Sequence, residues 1–284
     1  MPVEVSAPVF LAEDVPGITT AAFAPNGNLL VGSATEDVIY NIDLIGLTVS
    51  VFDSYAPVSG GDIEFDDEGM LYLATRSGNG LYQVWPDGIM DDVLLNPTSL
   101  PNLVTGMALT EGGQLLMSHN GNADLFLRNT DGTDTGLTFP LMLDGDAFMH
   151  HNGDMTSGCN SYQVPNEGDC EAFSTFYRNE GNEVDGTDLY SVMFVDEDAN
   201  LTFLTNVTFN AHIAYNGADD IVYFVNIDGS FIRAYDPTSG IFLGDLPIDG
   251  DIDNLFSVVY DDISGLLYVG DDNDDEVHSI DLGT

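Results

Sequence analysis

Short apolar runs separated by polar turns recur along the whole chain. Five stretches share one pattern, in which an alternating run ends at a large apolar residue, a polar turn follows, and an aliphatic run begins. They read TTAAFAPNGNLLVGSA, GDIEFDDEGMLYLAT, TGMALTEGGQLLMSH, AHIAYNGADDIVYFVN and FSVVYDDISGLLYVGD. Alternation with a period of two, interrupted by turn formers, predicts pairs of antiparallel β-strands.

The spacing of these strand pairs indicates a repeat. The large apolar residue before each turn is Phe23, Phe65, Leu109, Tyr215 or Tyr260, so the pattern returns about every 40–50 residues, with one gap of about two periods. That gap contains further strand-like runs, EAFSTFYRN, TDLYSVMFVD and NLTFLTNVTF, and accounts for one more unit. Each unit continues into a third strand, and most into a fourth. Four-stranded units at this period are typical of β-propeller blades.

We therefore predict an all-β protein, a six-bladed β-propeller with four-stranded antiparallel blades, in which residues 1–284 form a single domain. The last unit has only three strands, and a strand-like run stands before the first unit. The N-terminal strand is expected to complete the last blade and close the ring. The blades are placed roughly at 17–55, 60–100, 102–146, 150–209, 210–248 and 254–284 plus 3–12.

Charge narrows the possible partners. The chain has 48 acidic residues against four Arg and Lys, a net charge of −44. Nucleic acid and anionic lipid are excluded as partners, because binding them needs Lys and Arg to neutralise phosphates. No apolar run is long enough for a membrane span, so no direct membrane insertion is expected. Two interpretations of the acidity stay open, a highly solvated surface suited to a salty medium and binding of Ca²⁺.

The best calcium candidate is the acidic hairpin between the last two strands. Five of its six residues are acidic, and Asp271, Asn273 and Asp275 alternate as ligands do in calcium loops, with Glu276 beside them. The hairpin lacks the Gly and the distal bidentate Glu of an EF-hand loop, so a merely solvated turn is the alternative. Adjacent carboxylates repel one another by roughly 1 kcal/mol in water, which a bound cation would relieve.

A second candidate site lies where the first strands meet the central channel. The position three before each large apolar residue holds Thr20, Asp62, Gly106, His212 or Ser257. Together with Asp154 or His151 from the remaining blade, the set Asp62, Asp154 and His212 is a candidate channel site for a metal ion or for acid–base chemistry. Channel-lining polar residues that only contact water are the alternative, and no residue is assigned as catalytic.

Two further features bear on location and ligands. Cys159 and Cys170 lie in a turn-rich segment, and no third or fourth thiol is near enough for a zinc site. We predict a local disulfide, which implies an oxidising, extracytoplasmic location.

Arg76 and Trp85 of the second unit are candidates for a sugar-binding surface, or for packing between blades.

The stretches GGDIEFDDEGMLYLATRSGNGLYQV and AHIAYNGADDIVYFVNIDGSFIRAYDPTSG resemble the D-x-x-G-x-[LI]-Y repeat of six-bladed propellers of the NHL, SMP-30/gluconolactonase and YncE-like kind. The whole chain is similar to propeller modules of large secreted or surface proteins of bacteria. This resemblance implies the fold and a place outside the cell, beside adhesion or sorting domains. Lactonases of the SMP-30 kind hold a channel Ca²⁺ with Glu, Asn and Asp, and the five aligned positions contain no Glu.

The leading hypothesis is a non-catalytic extracellular module, stabilised by Ca²⁺, for binding, adhesion or assembly at a bacterial cell surface. Its partner would be a cell-surface or extracellular protein or glycan. One alternative is a Ca²⁺-dependent, lactonase-like hydrolase with a channel site, and another is a self-assembling structural subunit of an extracellular filament or layer. The hydrolase predicts a metal held by several blades, the binding module an exposed aromatic patch, and the filament subunit contacts between copies.

Overall fold

A computed structural model gives the architecture of the chain. The residues that it describes are 9–12, 15–24, 26–53, 61–66, 69–74, 80–84, 93–95, 104–110, 112–119, 124–143, 146–147, 150–157, 172–178, 189–195, 201–207, 212–225, 231–239, 241–248, 255–261, 264–271 and 275–282.

The described residues form β-strands in the following order. They are β1 (Val9–Ala12), β2 (Ile18–Phe23), β3 (Leu29–Ser33), β4 (Val38–Asp43), β5 (Thr48–Asp53), β6 (Asp62–Phe65), β7 (Leu71–Ala74), β8 (Leu81–Val84), β9 (Val93–Leu95), β10 (Val104–Leu109), β11 (Gln114–His119), β12 (Asp124–Asn129), β13 (Asp134–Pro140), β14 (Met142–Leu143), β15 (Asp146–Ala147), β16 (His150–Ser157), β17 (Ala172–Arg178), β18 (Leu189–Val195), β19 (Leu201–Val207), β20 (Ile213–Asn216), β21 (Ile221–Val225), β22 (Phe231–Asp236), β23 (Ile241–Pro247), β24 (Leu255–Asp261), β25 (Leu266–Asp271) and β26 (Glu276–Asp281).

These strands pair as antiparallel meanders. The described sheets are β2-β3-β4-β5, β6-β7-β8-β9, β10-β11-β12-β13, β16-β17-β18-β19, β20-β21-β22-β23 and β1-β26-β25-β24, with β14-β15 as a separate hairpin. Strand β1 pairs antiparallel with β26, with Val9 opposite Ser279 and Phe10 opposite His278. The innermost strands β2, β6, β10, β16, β20 and β24 contact one another in this order, and β24 contacts β2 again. The predicted all-β propeller fold is confirmed.

Glycine fixes the turn between the first two strands of several sheets. In the β2–β3 turn, the Ala24 N–H donates to the Asn28 carbonyl and the Gly27 N–H donates to the Ala24 carbonyl. The same pair of backbone bonds recurs in the β6–β7 and β10–β11 turns. Gly27 has φ 83° and Gly69 has φ 92°, a left-handed conformation that only glycine adopts without strain. The glycine of the D-x-x-G motif is therefore a structural requirement of the hairpin.

The apolar cores lie between neighbouring sheets. One cluster joins side chains of β2–β5 with those of β6–β8, and a second joins β7–β8 with β10–β11. A third contains Ile18, Phe23 and Tyr268, and therefore links the first sheet to the sheet of β24–β26. A fourth joins that sheet to β20–β23. A single sheet cannot bury both of its faces, so the stacking of neighbours supplies the hydrophobic stabilisation.

The outer strands of all six four-stranded sheets carry a feature that hinders pairing with foreign strands. The ladders of β1, β5, β13, β19 and β23 each contain a register shift, and β9 has only three residues. Bulges and short length are two common means by which proteins prevent association of exposed sheet edges.

Within the described residues there is no helix with the length and apolarity that a membrane span requires.

Candidate functional site

A repeated β-bulge shapes the innermost strands. The pairing of the first two strands shifts register between Ile18 and Thr20, between Val104 and Gly106, between His151 and Gly153, and between Leu255 and Ser257. Each shift leaves one extra residue at the start of an innermost strand. Bulges change the direction in which a side chain points, and three of these shifts end at predicted channel positions, Thr20, Gly106 and Ser257. The β6–β7 and β20–β21 ladders contain no such shift.

Asp62 links three neighbouring blades. Its Oδ1 accepts hydrogen bonds from the Thr20 hydroxyl at 3.0 Å and from the Ile63 N–H at 2.9 Å, and its Oδ2 accepts one from the Met107 N–H at 2.7 Å. Thr20 belongs to β2 and Met107 to β10. Asp62 is only 7% exposed. Its carboxylate therefore joins the innermost strands to one another, in a site almost closed to water.

Three of the four other aligned positions, Thr20, Gly106 and Ser257, are also packed rather than open. Thr20 and Ser257 are each 4% exposed. A Cβ added to Gly106 would lie 2.8 Å from Met155 of the next sheet, and one added to Gly270 would lie 2.7 Å from the Ser257 hydroxyl. The chain packs so closely around Gly106 in β10 and Gly270 in β25 that neither position accepts a larger side chain unless its neighbours shift.

The structure describes the side chains of two of the three predicted channel residues, Asp62 and His212. Asp62 lies at the start of β6, and His212, which is half-buried, directly precedes β20. The backbone of Asp154 lies in β16, while its side chain is outside what the structure describes. Among the described residues, no group of three or more His, Cys, Asp or Glu side chains is close enough to hold a metal ion. The channel site stays a prediction.

The acidic hairpin is described at its two ends. Asp271, the last residue of β25, is 1% exposed, and it lies opposite Glu276 in the ladder. Asp275 has φ 57°, and its carbonyl accepts a hydrogen bond from the Val15 N–H at 3.2 Å. The Glu276 carboxylate lies 3.0 Å from the imidazole Nε2 of His278.

The hairpin is thus anchored to the N-terminal segment, and one of its carboxylates is buried.

Asn273, the central predicted ligand, lies outside the described residues. So do both cysteines of the predicted disulfide, Cys159 and Cys170, and the candidate sugar-binding residues Arg76 and Trp85. These predictions stay open.

An exposed apolar surface on β23 is a feature that the sequence did not single out. Ile241, Phe242 and Leu243 are 56%, 48% and 50% exposed, and we call these three residues the outer strip. No described strand pairs with the outer edge of β23. Alternation would turn every second side chain toward a core, but the register shift at Leu243 leaves three consecutive apolar residues in contact with water. The sequence feature that could have predicted this exposed surface is the unbroken apolar run Ile-Phe-Leu at 241–243, in an outer strand.

Aromatic side chains lead from the interior of this sheet to the outer strip. The ring centroids of Phe224 and Tyr235 are 5.8 Å apart, and those of Tyr235 and Phe242 are 5.4 Å apart. The Arg233 guanidinium lies 5.0 Å from the centre of the Phe231 ring and 5.6 Å from that of Phe242. Such cation–π contacts stabilise a charged group on an aromatic surface.

Arg233 is also held by a bidentate ion pair. Its Nε and a terminal nitrogen donate to the two carboxylate oxygens of Asp245 at 2.6 Å and 3.2 Å. This hydrogen bonding raises the pKa of the Arg233 guanidinium above its ordinary value. The pair is electrically neutral overall, so it adds no net charge to the aromatic surface beside the outer strip.

Several solved structures are similar to this fold over nearly the whole chain. An auxiliary nutrient binding protein from Bacteroides ovatus superposes with a TM-score of 0.67 at 14% identity, covering 97% of this chain and 76% of its own. A protein of unknown function from Bacteroides thetaiotaomicron gives 0.67 at 12%, covering 98% and 75%. A virginiamycin B lyase from Staphylococcus aureus gives 0.55 at 15%, covering 94% and 82%.

These neighbours are β-propeller-like proteins, and at such low identity they show the fold alone. The sequence matches no protein-family model and no curated protein.

Proposed function

We propose that this chain is a six-bladed propeller of the NHL and YncE-like kind, closed by β1, and that it works as a non-catalytic extracellular binding module at a bacterial cell surface. The ring is supported by the cyclic contacts of the innermost strands and by the pairing of β1 with β26. Among the similar structures is an auxiliary nutrient binding protein, which agrees with a binding role.

The observation that carries the proposal is the outer strip beside its aromatic ladder. Exposed apolar patches of a few hundred Å² on soluble proteins frequently mark interaction sites. Phe242 offers a ring for stacking, and the Arg233–Asp245 pair offers hydrogen-bond donors and acceptors beside it. A protein surface or a glycan without strong negative charge suits this patch, since the net charge of −44 repels anionic partners.

The geometry of the innermost strands favours this proposal over the hydrolase. Asp62 uses both carboxylate oxygens as hydrogen-bond acceptors for Thr20, Ile63 and Met107. A general base needs a lone pair directed at its substrate. The three bonds use most of the roughly four lone-pair sites of the Asp62 carboxylate, which supports a role in joining blades.

We also propose that Ca²⁺ binds the acidic hairpin and stabilises the fold. Its support is the burial of Asp271, with Asp275 and Glu276 at the other end of the same turn. Ca²⁺ is bound by oxygen ligands from flexible loops of this kind. An extracellular place is supported by the pair of cysteines and agrees with the calcium proposal.

Binding of the purified chain to intact bacterial cells tests the function. Cells are compared untreated, after protease removes surface proteins, and after glycosidases remove surface glycans. We expect saturable binding that one treatment abolishes, and at least tenfold weaker binding by Phe242→Ser. Leu137→Ser is the matched control, because Leu137 is 52% exposed on another outer strand. Equal binding by Phe242→Ser and the unaltered chain would contradict the proposal.

A further inference from the structure

The polar side chains next to the outer strip lie on one face of the sheet of β20–β23. Along β22, Ile232 and Ala234 belong to the core shared with the sheet of β24–β26. Phe231 and Arg233 alternate with them and therefore lie on the opposite face. Asp245 lies directly across the ladder from Arg233. This face of the sheet thus combines aromatic rings with an ion pair beside exposed apolar residues.

The Arg233–Asp245 pair keeps part of its hydrogen-bonding capacity for a ligand. A guanidinium has more N–H donors than the two that Arg233 gives to Asp245. A carboxylate likewise has more lone pairs than the two with which Asp245 accepts these bonds. The side chains of Arg233 and Asp245 are 26% and 39% exposed, so donors and acceptors of both groups are accessible from solvent.

The groups of this surface are held in position by their neighbours. The Arg233 guanidinium lies 5.0 Å from the centre of the Phe231 ring and 5.6 Å from that of the Phe242 ring, and Asp245 fixes its orientation. Tyr235 is 9% exposed, and its ring centroid lies 5.4 Å from that of Phe242. Groups that are already ordered lose little conformational entropy when a ligand binds.

The area of the outer strip fits a small ligand better than a protein. At about 200 Å² for a large apolar side chain, its three half-exposed residues offer roughly 300 Å². The smallest specific protein interfaces bury about 600 Å² on each partner, about twice that area. A ligand that stacks one or two rings at Phe242 needs only part of the strip.

We propose that this surface binds a neutral carbohydrate, with a sugar ring stacked on Phe242 and its hydroxyl groups bound by Arg233 and Asp245. The C–H groups on the face of a sugar ring are slightly positive and suit the negative face of an aromatic ring. A sugar hydroxyl donates to a carboxylate oxygen, and a neighbouring hydroxyl accepts from a guanidinium N–H. The inference rests on the proposed function in one respect, namely that the outer strip is a binding surface, and it names the class of ligand.

Charge favours a neutral sugar over an acidic one. The chain has a net charge of −44, and the cation at this surface, Arg233, is already paired with Asp245. An acidic sugar would therefore be repelled, whereas a basic peptide would be attracted. Both of these effects weaken as the Debye length shrinks from about 10 Å at 0.1 M salt to about 3 Å at 1 M. Binding of a neutral sugar should not depend on salt over this range.

Isothermal titration calorimetry with probes of different charge tests the inference. The neutral probes are cellohexaose, maltohexaose and mannohexaose, the acidic probe is hexamannuronate, and the basic probe is hexalysine. We expect at least one neutral hexasaccharide to bind, with a dissociation constant that changes less than about twofold between about 0.1 M and 1 M salt. Hexamannuronate should bind at least tenfold more weakly than the best neutral probe.

Variants separate stacking on a ring from general apolar contact. Phe242→Leu keeps an apolar side chain but loses the ring, so it should bind the sugar at least tenfold more weakly. Phe242→Tyr restores a ring and should bind at least fivefold more tightly than Phe242→Leu. Arg233→Lys keeps the charge but loses the planar fork, and it should weaken binding at least fivefold. Leu137→Ser is the control on another outer strand and should bind as the unaltered chain does, and circular dichroism without sugar establishes that each variant is folded.

Several results would overturn the inference. They are binding of no neutral probe, binding of hexalysine alone, a steep salt dependence of sugar binding, and equal binding by Phe242→Leu and the unaltered chain. If the sugars fail to bind while Phe242→Ser still impairs binding to cells, and protease abolishes that binding, the partner is a protein and the proposed function stands. If Phe242→Ser also leaves binding to cells unchanged, both fail.

Discussion

Replacing Asp62 with Asn tests the central structural claim, that this carboxylate joins three blades. The substitution keeps the size of the side chain and an oxygen that accepts from Thr20 and Ile63. It places an amide NH₂ against the Met107 N–H, where the carboxylate now accepts at 2.7 Å. Two donors then face each other at a site that is only 7% exposed.

The expected loss follows from the bonds involved. Loss of one hydrogen bond to a charged group costs about 1.5–3 kcal/mol, and a buried unsatisfied donor costs about 1–3 kcal/mol. We expect Asp62→Asn to lower the free energy of unfolding by about 3 kcal/mol. Thr20→Val removes only the 3.0 Å hydroxyl bond and should cost about 1 kcal/mol. At about 2–4 °C per kcal/mol, the melting temperatures fall by about 6–12 °C and about 2–4 °C.

Urea unfolding followed by circular dichroism measures both variants, since urea leaves the ionic strength constant. Each is unfolded in excess Ca²⁺ and again in EGTA. If Asp62 joins blades through hydrogen bonds alone, the difference between Asp62→Asn and the unaltered chain is the same in both. A difference that disappears in EGTA would show that Asp62 is a metal ligand. A loss no larger than that of Thr20→Val would refute the argument from the Met107 bond.

Three further predictions follow from other residues. Gly270→Ala should lower stability by about 1–3 kcal/mol in urea, because its Cβ would overlap Ser257, whereas Gly112→Ala, with contacts no nearer than 3.7 Å, should be neutral. Burial raises the pKa of Tyr223 from 10.0 to about 12. The stabilisation that this shift provides is fully present below pH 10 and is lost as the pH rises towards 12, so the free energy of unfolding should fall over this range. Tyr223→Phe should reduce that fall in alkaline urea titrations. EGTA should lower the melting temperature, and Asp275→Asn should remove most of that effect; an unchanged melt with no calcium found by metal analysis would end the calcium proposal.

The repeat was predictable because local chemistry determines it. Turns such as PNGN and DDEGM place glycine where a left-handed residue is needed, and the structure has Gly27 and Gly69 there. The large apolar residue before the turn is buried in three of the five repeats, at Phe23, Phe65 and Leu109, whereas Tyr215 and Tyr260 are only partly buried.

The bonds of Asp62 were not predictable, because they depend on how neighbouring blades stack. The sequence placed Asp62 near Thr20 on a common ring and interpreted the ring as a channel lining. The structure buries both residues and pairs them with each other. The outer strip was missed for a related reason, since a register shift at Leu243 exposes side chains that strict alternation would have turned inward.

The chain contains 36 Asp and 12 Glu, and this excess of aspartate has a structural cause besides metal binding. Several Asp side chains accept hydrogen bonds from backbone N–H groups a few residues later in the same turn, a reach that suits the short side chain. Asp43 bonds Ile45 and Gly46, Asp66 bonds Met70, and Asp131 bonds Thr133. Hydrogen bonds from Thr133 lower the pKa of Asp131, and those from Ser239 lower that of Asp236.

These turn aspartates change how the net charge should be interpreted. A carboxylate whose pKa is lowered by folding stabilises the folded state above its unfolded pKa, and that stability is lost as the pH falls through the folded pKa. Part of the acidity therefore stabilises hairpins directly, without a cation. The acidic hairpin differs from these turns in one physical respect, because Asp271 is 1% exposed while Asp43 and Asp131 lie at the surface. Asp271 also lies opposite Glu276 in the ladder, so a Ca²⁺ ion bound at this hairpin would offset the repulsion between two neighbouring carboxylates.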